Sequence, residues 1–135
     1  MTSIVGLSEL MKKYTQEFSD AISRKDYDGA IAMALNVLEK LISIARGEVL
    51  GVIVDPTVRS LADNYIAGYE KTLSYTRGVL EGLKYVSPLY AYGEKEQLIQ
   101  LLASSVSELF SFIMGALIIV ASLSPPVREE GLGVV

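Results

Sequence analysis

Apolar residues recur at steps of three and four along four long stretches of the chain, the spacing that places them on one face of an α-helix. A short turn near Lys25, the segment VIVDPT and the segment SPLYAYG separate these stretches. Asp26 and Asp55 stand where N-caps are needed, and Pro56 suits a first helical residue. We predict four helices, over residues of about 8–24, 27–45, 56–85 and 94–124.

The connections between these helices predict the fold. The first two helices are antiparallel neighbours because the turn between them is short. The segment VIVDPT is rich in β-branched residues, but no second strand is predicted to pair with it. The predicted fold class is therefore all-α, an up-and-down four-helix bundle formed by residues 1–124, with residues 125–135 as a C-terminal tail. Gly78 and Gly82 predict close packing against a neighbouring helix, since glycine weakens a helix interior.

The residue composition excludes several kinds of chemistry. The chain of 135 residues has no Cys and no His, so it cannot build a thiolate or histidine metal site or a Ser-His-Asp triad. Its acidic residues show no spacing that gathers them into a catalytic or metal-binding pair. We therefore predict no enzymatic activity, no cofactor and no metal site. A net charge of −4 without a basic stripe also disfavours duplex nucleic acid as a partner.

Composition also bears on where the protein acts. The start MTSIVGLSELMKK lacks the pattern of a secretory signal, so we expect a cytoplasmic protein. The low content of Asn and Gln, together with the lack of Cys, is typical of a thermophilic source. Half of the residues are apolar and the mean hydropathy is +0.36, which indicates more apolar surface than one small bundle needs to bury.

The segment RKDYDGAIAMALNVLEKL resembles the helical hairpin of tetratricopeptide-like modules and of HEPN-type four-helix domains. The resemblance covers roughly residues 10–42 and occurs once, which disfavours a tetratricopeptide array. Many HEPN domains are ribonucleases that use an Arg-to-His motif, and this chain has no His. The resemblance therefore implies a catalytically silent member that acts as an interaction or antitoxin-like partner.

The fourth predicted helix is apolar on every face after Glu108. Its i,i+4 rows differ in size, and one row contains only small residues, from Ala103 to Gly115. Such a row lets a second helix approach closely, while the large side chains beside it interdigitate with that helix. The predicted protein interface consists of Ser107, Phe110, Ser111, Met114, Gly115, Leu117 and Ile118.

These patterns predict a non-enzymatic interaction protein that forms a homodimer or tetramer, or that serves as a small subunit of a larger complex. One alternative is a membrane-associated protein anchored by the fourth helix, although its uncharged run of about 16 residues is shorter than the roughly 20 that a span requires. A second alternative is a ligand-binding bundle. Its candidate pocket combines Glu108 with Tyr85, Tyr90 and Tyr92 of the loop before the fourth helix.

Overall fold

A computed structural model describes residues 2–123 and contains four long helices and no strand within that range. This confirms the predicted all-α four-helix bundle. The predicted tail, residues 125–135, lies outside the described residues. The helices are α1 (Ile4–Ser23), α2 (Tyr27–Ile44), α3 (Pro56–Leu83) and α4 (Pro88–Leu123), and α2 continues through a π-helical turn (Ala45–Val49) and a last turn (Leu50–Val52).

Helix α2 forms the centre of the bundle and packs against all three other helices, most extensively against α4. A salt bridge of 2.8 Å between Lys95 and Asp28 joins the starts of α2 and α4, so these two helices run parallel. Helices α1 and α3 run in the opposite direction, and each packs against both members of the α2–α4 pair. Helix α4 therefore keeps one face directed away from the bundle.

The first three helices begin at side-chain caps. Ser3, Asp26 and Asp55 each accept a hydrogen bond of 2.9 to 3.0 Å from the backbone N–H three residues further on. The caps at Asp26 and Asp55 were predicted from the sequence and are confirmed. The cap at Ser3 was not predicted, and it starts α1 at Ile4 rather than near residue 8.

The fourth helix begins six residues earlier than the sequence predicted. Its first residue is Pro88 rather than Glu94, so the segment SPLYAYG is mostly helical rather than a loop. Ser87 acts as the cap, since its hydroxyl accepts from Tyr90 N at 3.3 Å and its carbonyl accepts from Ala91 N at 2.9 Å. Proline at the first helical position loses no backbone hydrogen bond, as at the start of α3.

The second helix extends beyond its predicted end near Ala45. It passes through the π-helical turn and stops at Val52. A π-helical turn places one extra residue in the helix. Here that turn contains Arg46, whose guanidinium contacts carboxylates of α3. The π-helical turn packs against both α3 and α4.

The bundle core lies on the inner faces of all four helices. Its largest fully buried side chains include Leu7, Ile31, Leu38, Leu41, Ile66, Leu102, Leu109 and Ile113. The prediction of close packing at Gly78 and Gly82 was wrong, because a Cβ atom built at either glycine would meet no atom within 4 Å. Both residues are exposed on α3, where glycine has no steric role.

Candidate interaction surface on α4

The inner face of α4 is a continuous buried stripe that packs against the rest of the bundle. Its residues recur at steps of three and four, and the last of them is Ile113. They are Leu98, Leu102, Val106, Leu109 and Ile113. These side chains are between 0 and 4% exposed. Beyond Ile113, no described α4 side chain is fully buried, although almost every residue there is apolar. The second half of α4 therefore carries apolar surface that this chain does not cover.

The outer face of α4 consists of small residues followed by one large one. Ser107, Ser111 and Gly115 are four residues apart, and Ile118 continues the same face one turn later. Both serines are exposed, and Ile118 is 50% exposed. A Cβ atom built at Gly115 would meet no atom within 4 Å. We call the face formed by Ser107, Ser111, Gly115 and Ile118 the outer face.

A groove between α1 and α4 borders the outer face on one side. Phe110 of α4 is half-buried there, and Met114 and Leu117 are half-buried further along the same helix. The groove has a volume of about 580 Å³ and is lined by polar side chains around Met11 and Phe110: Ser8, Met11, Lys12, Thr15, Gln16, Ser19, Ser107 and Phe110. The structure thus brings the predicted interface residues to one open side of the molecule.

On its other side, the outer face is bordered by a polar and aromatic cluster between α3 and α4. The ring of Tyr65 lies 4.7 Å from that of Phe112, and its hydroxyl lies 2.9 Å from the hydroxyl of Tyr69. Tyr69 in turn donates a hydrogen bond of 3.0 Å to Glu108. Burial and these hydrogen bonds raise the pKa of Tyr69 above its ordinary value of 10. Glu108 itself is exposed, on the solvent side of α4.

The structure does not bring the residues of the candidate ligand pocket together. Glu108 lies 16 residues beyond Tyr92 on α4, which separates them by about 24 Å at 1.5 Å per residue. Tyr85 and Tyr90 are 83% and 58% exposed. Tyr92 packs against Tyr27, with 5.0 Å between ring centroids, and donates to its hydroxyl at 3.2 Å. That hydrogen bond is the main cause that raises the pKa of Tyr27 to about 12.

One polar cluster was not predicted from the sequence. Arg46 on the π-helical turn contacts Asp63 and holds both carboxylate oxygens of Glu70, at 2.6 and 3.1 Å. The guanidinium lowers the pKa of the Glu70 carboxyl. Seven residues separate Asp63 from Glu70, which puts them on one face of α3 and was the available sequence signal. The cluster joins α2 to α3, and we assign it a structural role.

Two further properties bear on function. Within residues 2–123, Pro88–Ser122 is the one helix that is long and apolar enough to cross a membrane. Of the residues in its most apolar 18-residue window, 22% are buried inside the chain. The same described part of the chain contains no cluster of three or more acidic side chains that could hold a metal ion.

Comparisons with protein-family models, with curated protein sequences and with solved structures found no match. Function must therefore be inferred from the surface of the bundle itself.

Proposed function

We propose that this protein is a non-enzymatic, cytoplasmic interaction protein that self-associates through the outer face of α4. The observation that carries the proposal is the row of small residues Ser107, Ser111 and Gly115, of which both serines are exposed and Gly115 is half-buried, and which leads directly to the exposed Ile118. Soluble helices normally place charged or long polar residues on the solvent side. Here the row itself carries only small side chains and Ile118 over three turns, with Glu108 as the one charged residue beside it, and small residues allow a close helix–helix contact.

Shape favours a second copy of α4 as the partner. Packed helices have axes about 8–10 Å apart, and small residues at the contact allow the shorter distances. The half-buried side chains of Phe110 and Met114 stand beside the small row and can insert into the opposing helix surface. A twofold axis makes one face cover its own copy, so a single sequence supplies both sides of the contact.

The energy of such a contact comes from apolar side chains that the single chain leaves partly in water. Ile118 is half exposed, and Phe110 and Met114 are only partly covered. Full burial of a large aliphatic or aromatic side chain contributes about 1.5–3 kcal/mol relative to full exposure, so each of these three contributes part of that amount. The open groove beside α1 adds further surface that a second copy would cover.

Membrane association is the second proposal, and the length and hydropathy of Pro88–Ser122 favour it. Against it stands the inner stripe of α4, where Leu102, Leu109 and Ile113 are fully buried against the bundle. Lipid could surround α4 only if the helix left the other three, which would expose their core as well. Self-association needs no such rearrangement.

Light scattering of the purified chain in detergent-free buffer tests the proposal. We expect an oligomer at micromolar concentration. Ser111→Lys places a charge at the centre of the outer face and should lower the mass per particle, while far-UV circular dichroism stays unchanged. Ser74→Lys makes the same change at an exposed position of α3 and should leave the mass unaltered. Ile118→Asp should act like Ser111→Lys.

A wild-type chain that is monomeric under these conditions would contradict self-association and would leave the role of a small subunit in a larger complex. Recovery of the chain only from the membrane fraction would support the membrane proposal instead. The resemblance of residues 10–42 to silent HEPN-type domains agrees with an interaction role but stays a prediction.

A further inference from the structure

The outer face of α4 is bordered on each side by one charged residue, and the two charges are opposite. On the α1 side, Lys12 is the one charged residue that lines the groove between α1 and α4. On the α3 side, Glu108 accepts the hydrogen bond of 3.0 Å from Tyr69. Both charged side chains are exposed. The outer face therefore has a positive border and a negative border.

The two charges lie at nearly the same level along the bundle. Lys12 lines the groove together with Ser107 and Phe110 of α4. Glu108 lies between these two residues in sequence, so it is within about 3 Å of their level at about 1.5 Å per residue. Among the described residues, neither Lys12 nor Glu108 takes part in an ion pair. Each charge can therefore pair with a group outside this chain.

We propose that a second copy packs on the outer face with the two α4 helices parallel, so that Lys12 of each copy pairs with Glu108 of the other. This inference rests on the proposed self-association and adds its geometry. A twofold axis parallel to α4 turns the α1 side of one copy towards the α3 side of the other, at the same level. The two opposite charges then meet twice, once at each edge of the contact.

The other twofold arrangement of the same face is disfavoured by these charges. A twofold axis perpendicular to α4 makes the helices antiparallel and turns the α1 side of one copy towards the α1 side of the other. Lys12 then lies on the same edge as Lys12 of the second copy, and Glu108 on the same edge as its own copy. Like charges brought together oppose association, whereas opposite charges fix the register of a contact. Charge complementarity therefore favours the parallel pair.

The shapes of two neighbouring residues favour the same arrangement. Met114 is one helical turn after Phe110, which lines the groove, so Met114 lies on the α1 side of the outer face. Gly115 is two turns after Glu108 and lies towards the α3 side. In a parallel pair, Met114 of each copy is opposite Gly115 of the other, where a Cβ atom would meet nothing within 4 Å. A large side chain thus meets open space twice.

The polar lining of the groove also favours a copy of this chain over an apolar partner. Ser8, Thr15 and Ser19 line the groove with hydroxyl groups. These hydroxyls and Lys12 can donate hydrogen bonds to a carboxylate that enters the groove. An apolar helix or an acyl chain in the same place would leave them without partners, which costs free energy. In the parallel pair, the group that enters the groove is Glu108 of the second copy.

Charge reversal in the full-length chain tests the pairing, with the dissociation constant measured by sedimentation in detergent-free buffer at low salt. Lys12→Glu and Glu108→Lys should each raise the dissociation constant by about tenfold, because two attractions become two repulsions. The double variant restores both pairs and should return the constant to near the wild-type value. Lys13→Glu is the matched control. Lys13 lines the cleft between α1 and α2, away from the outer face, so this change should leave the constant unaltered.

The outcomes separate the arrangement from self-association itself. A double variant that associates as weakly as either single variant would overturn the pairing, and so would a Lys12→Glu chain with the wild-type dissociation constant. In both cases the wild type still associates, so the proposed function stands. A monomeric wild type contradicts self-association and this arrangement together. If Glu108→Lys does not fold, Lys12→Glu decides alone, since it changes an exposed side chain of α1.

Introduced cysteines provide an independent test, since the chain has no Cys. In the parallel pair each small residue faces its own copy, so Ser107→Cys and Ser111→Cys should each form a disulfide-linked dimer under mild oxidation. A disulfide requires Cα atoms within about 7 Å of each other. The two serines are about 6 Å apart along α4, so an antiparallel pair would link at most one of them. Ser74→Cys, exposed on α3, measures linkage by random collision. Linkage above that level at only one serine, or at neither, would overturn the parallel arrangement.

Discussion

The hydroxyl of Tyr69 on α3 donates a hydrogen bond of 3.0 Å to Oε1 of Glu108 on α4, and so joins residues 39 positions apart in sequence. Because the proton of Tyr69 points to Glu108, the hydroxyl of Tyr65 is the donor in the 2.9 Å bond between the two tyrosines. The ring of Tyr69 is only 8% exposed. The pair therefore holds α3 against α4 beside the outer face, from a buried ring to an exposed carboxylate.

Tyr69→Phe should destabilise the protein. The substitution keeps the buried ring but removes both hydrogen bonds of the hydroxyl, and a hydrogen bond contributes about 0.5–1.5 kcal/mol net. We expect the free energy of unfolding in urea to fall by about that amount or somewhat more, at a fixed protein concentration. An unchanged midpoint would mean that the link from Tyr69 to Glu108 adds nothing to stability.

Tyr14→Phe is the matched control and should have the opposite effect. Tyr14 is also 8% exposed, but its hydroxyl has no hydrogen-bond partner among the described residues. A buried group without a partner costs about 1–3 kcal/mol, so its removal should raise the free energy of unfolding. A loss of stability comparable to that of Tyr69→Phe would show that the Tyr14 hydroxyl has a partner in solution, such as a bound water molecule.

Tyr14 also predicts how the free energy of unfolding changes at alkaline pH. Burial raises the pKa of Tyr14 from 10 to about 12. Between these values the hydroxyl is ionised in the unfolded chain and neutral in the folded one, so the free energy of unfolding falls as the pH rises from 10 towards 12. The free energy of unfolding of the Tyr14→Phe variant should therefore fall less steeply above pH 10 than that of the wild type. Parallel curves would contradict this.

Acid pH should weaken the link between α2 and α3. Arg46 lowers the pKa of Glu70 in the folded chain below its ordinary value of 4.5. The stabilisation by this ion pair is therefore complete above pH 4.5, and it is lost as the pH falls through the pKa of Glu70 in the folded chain. Glu70→Gln should cost less than about 1 kcal/mol at pH 7, because solvent screens this partly exposed pair. The difference in the free energy of unfolding between Glu70→Gln and the wild type should vanish at acid pH. Glu81→Gln, at an exposed pair with Lys84, should have little effect at either pH.

The parts of the fold that depend on local sequence were predictable. Helix periodicity and the caps at Asp26 and Asp55 involve residues three or four positions apart, which a single sequence displays directly. Ser87-Pro88 is the same kind of start signal as Asp55-Pro56. It was missed because the following segment, with its tyrosines and Gly93, was interpreted as a loop, although a first helical turn accommodates these residues.

The missed features depend on contacts between distant residues. Arg46 of α2 contacts two carboxylates of α3, and although their spacing places both on one face of α3, it does not identify Arg46 as their partner. By contrast, the excess of apolar residues in the second half of α4 is a local pattern, and the sequence identified it.

Gly82 provides a test of the surface of α3, where the sequence suggested close packing and the structure has open space. Glycine in a helix interior costs about 0.5–1 kcal/mol relative to alanine. Since a Cβ atom at Gly82 would meet nothing within 4 Å, Gly82→Ala should raise the midpoint of thermal unfolding, and Gly82→Leu should not lower it. Ala34→Leu is the control, because Ala34 is fully buried and added volume in a packed core costs about 1–3 kcal/mol. If Gly82→Leu lowers the midpoint as much as Ala34→Leu does, a second helix or a second copy packs on this face of α3.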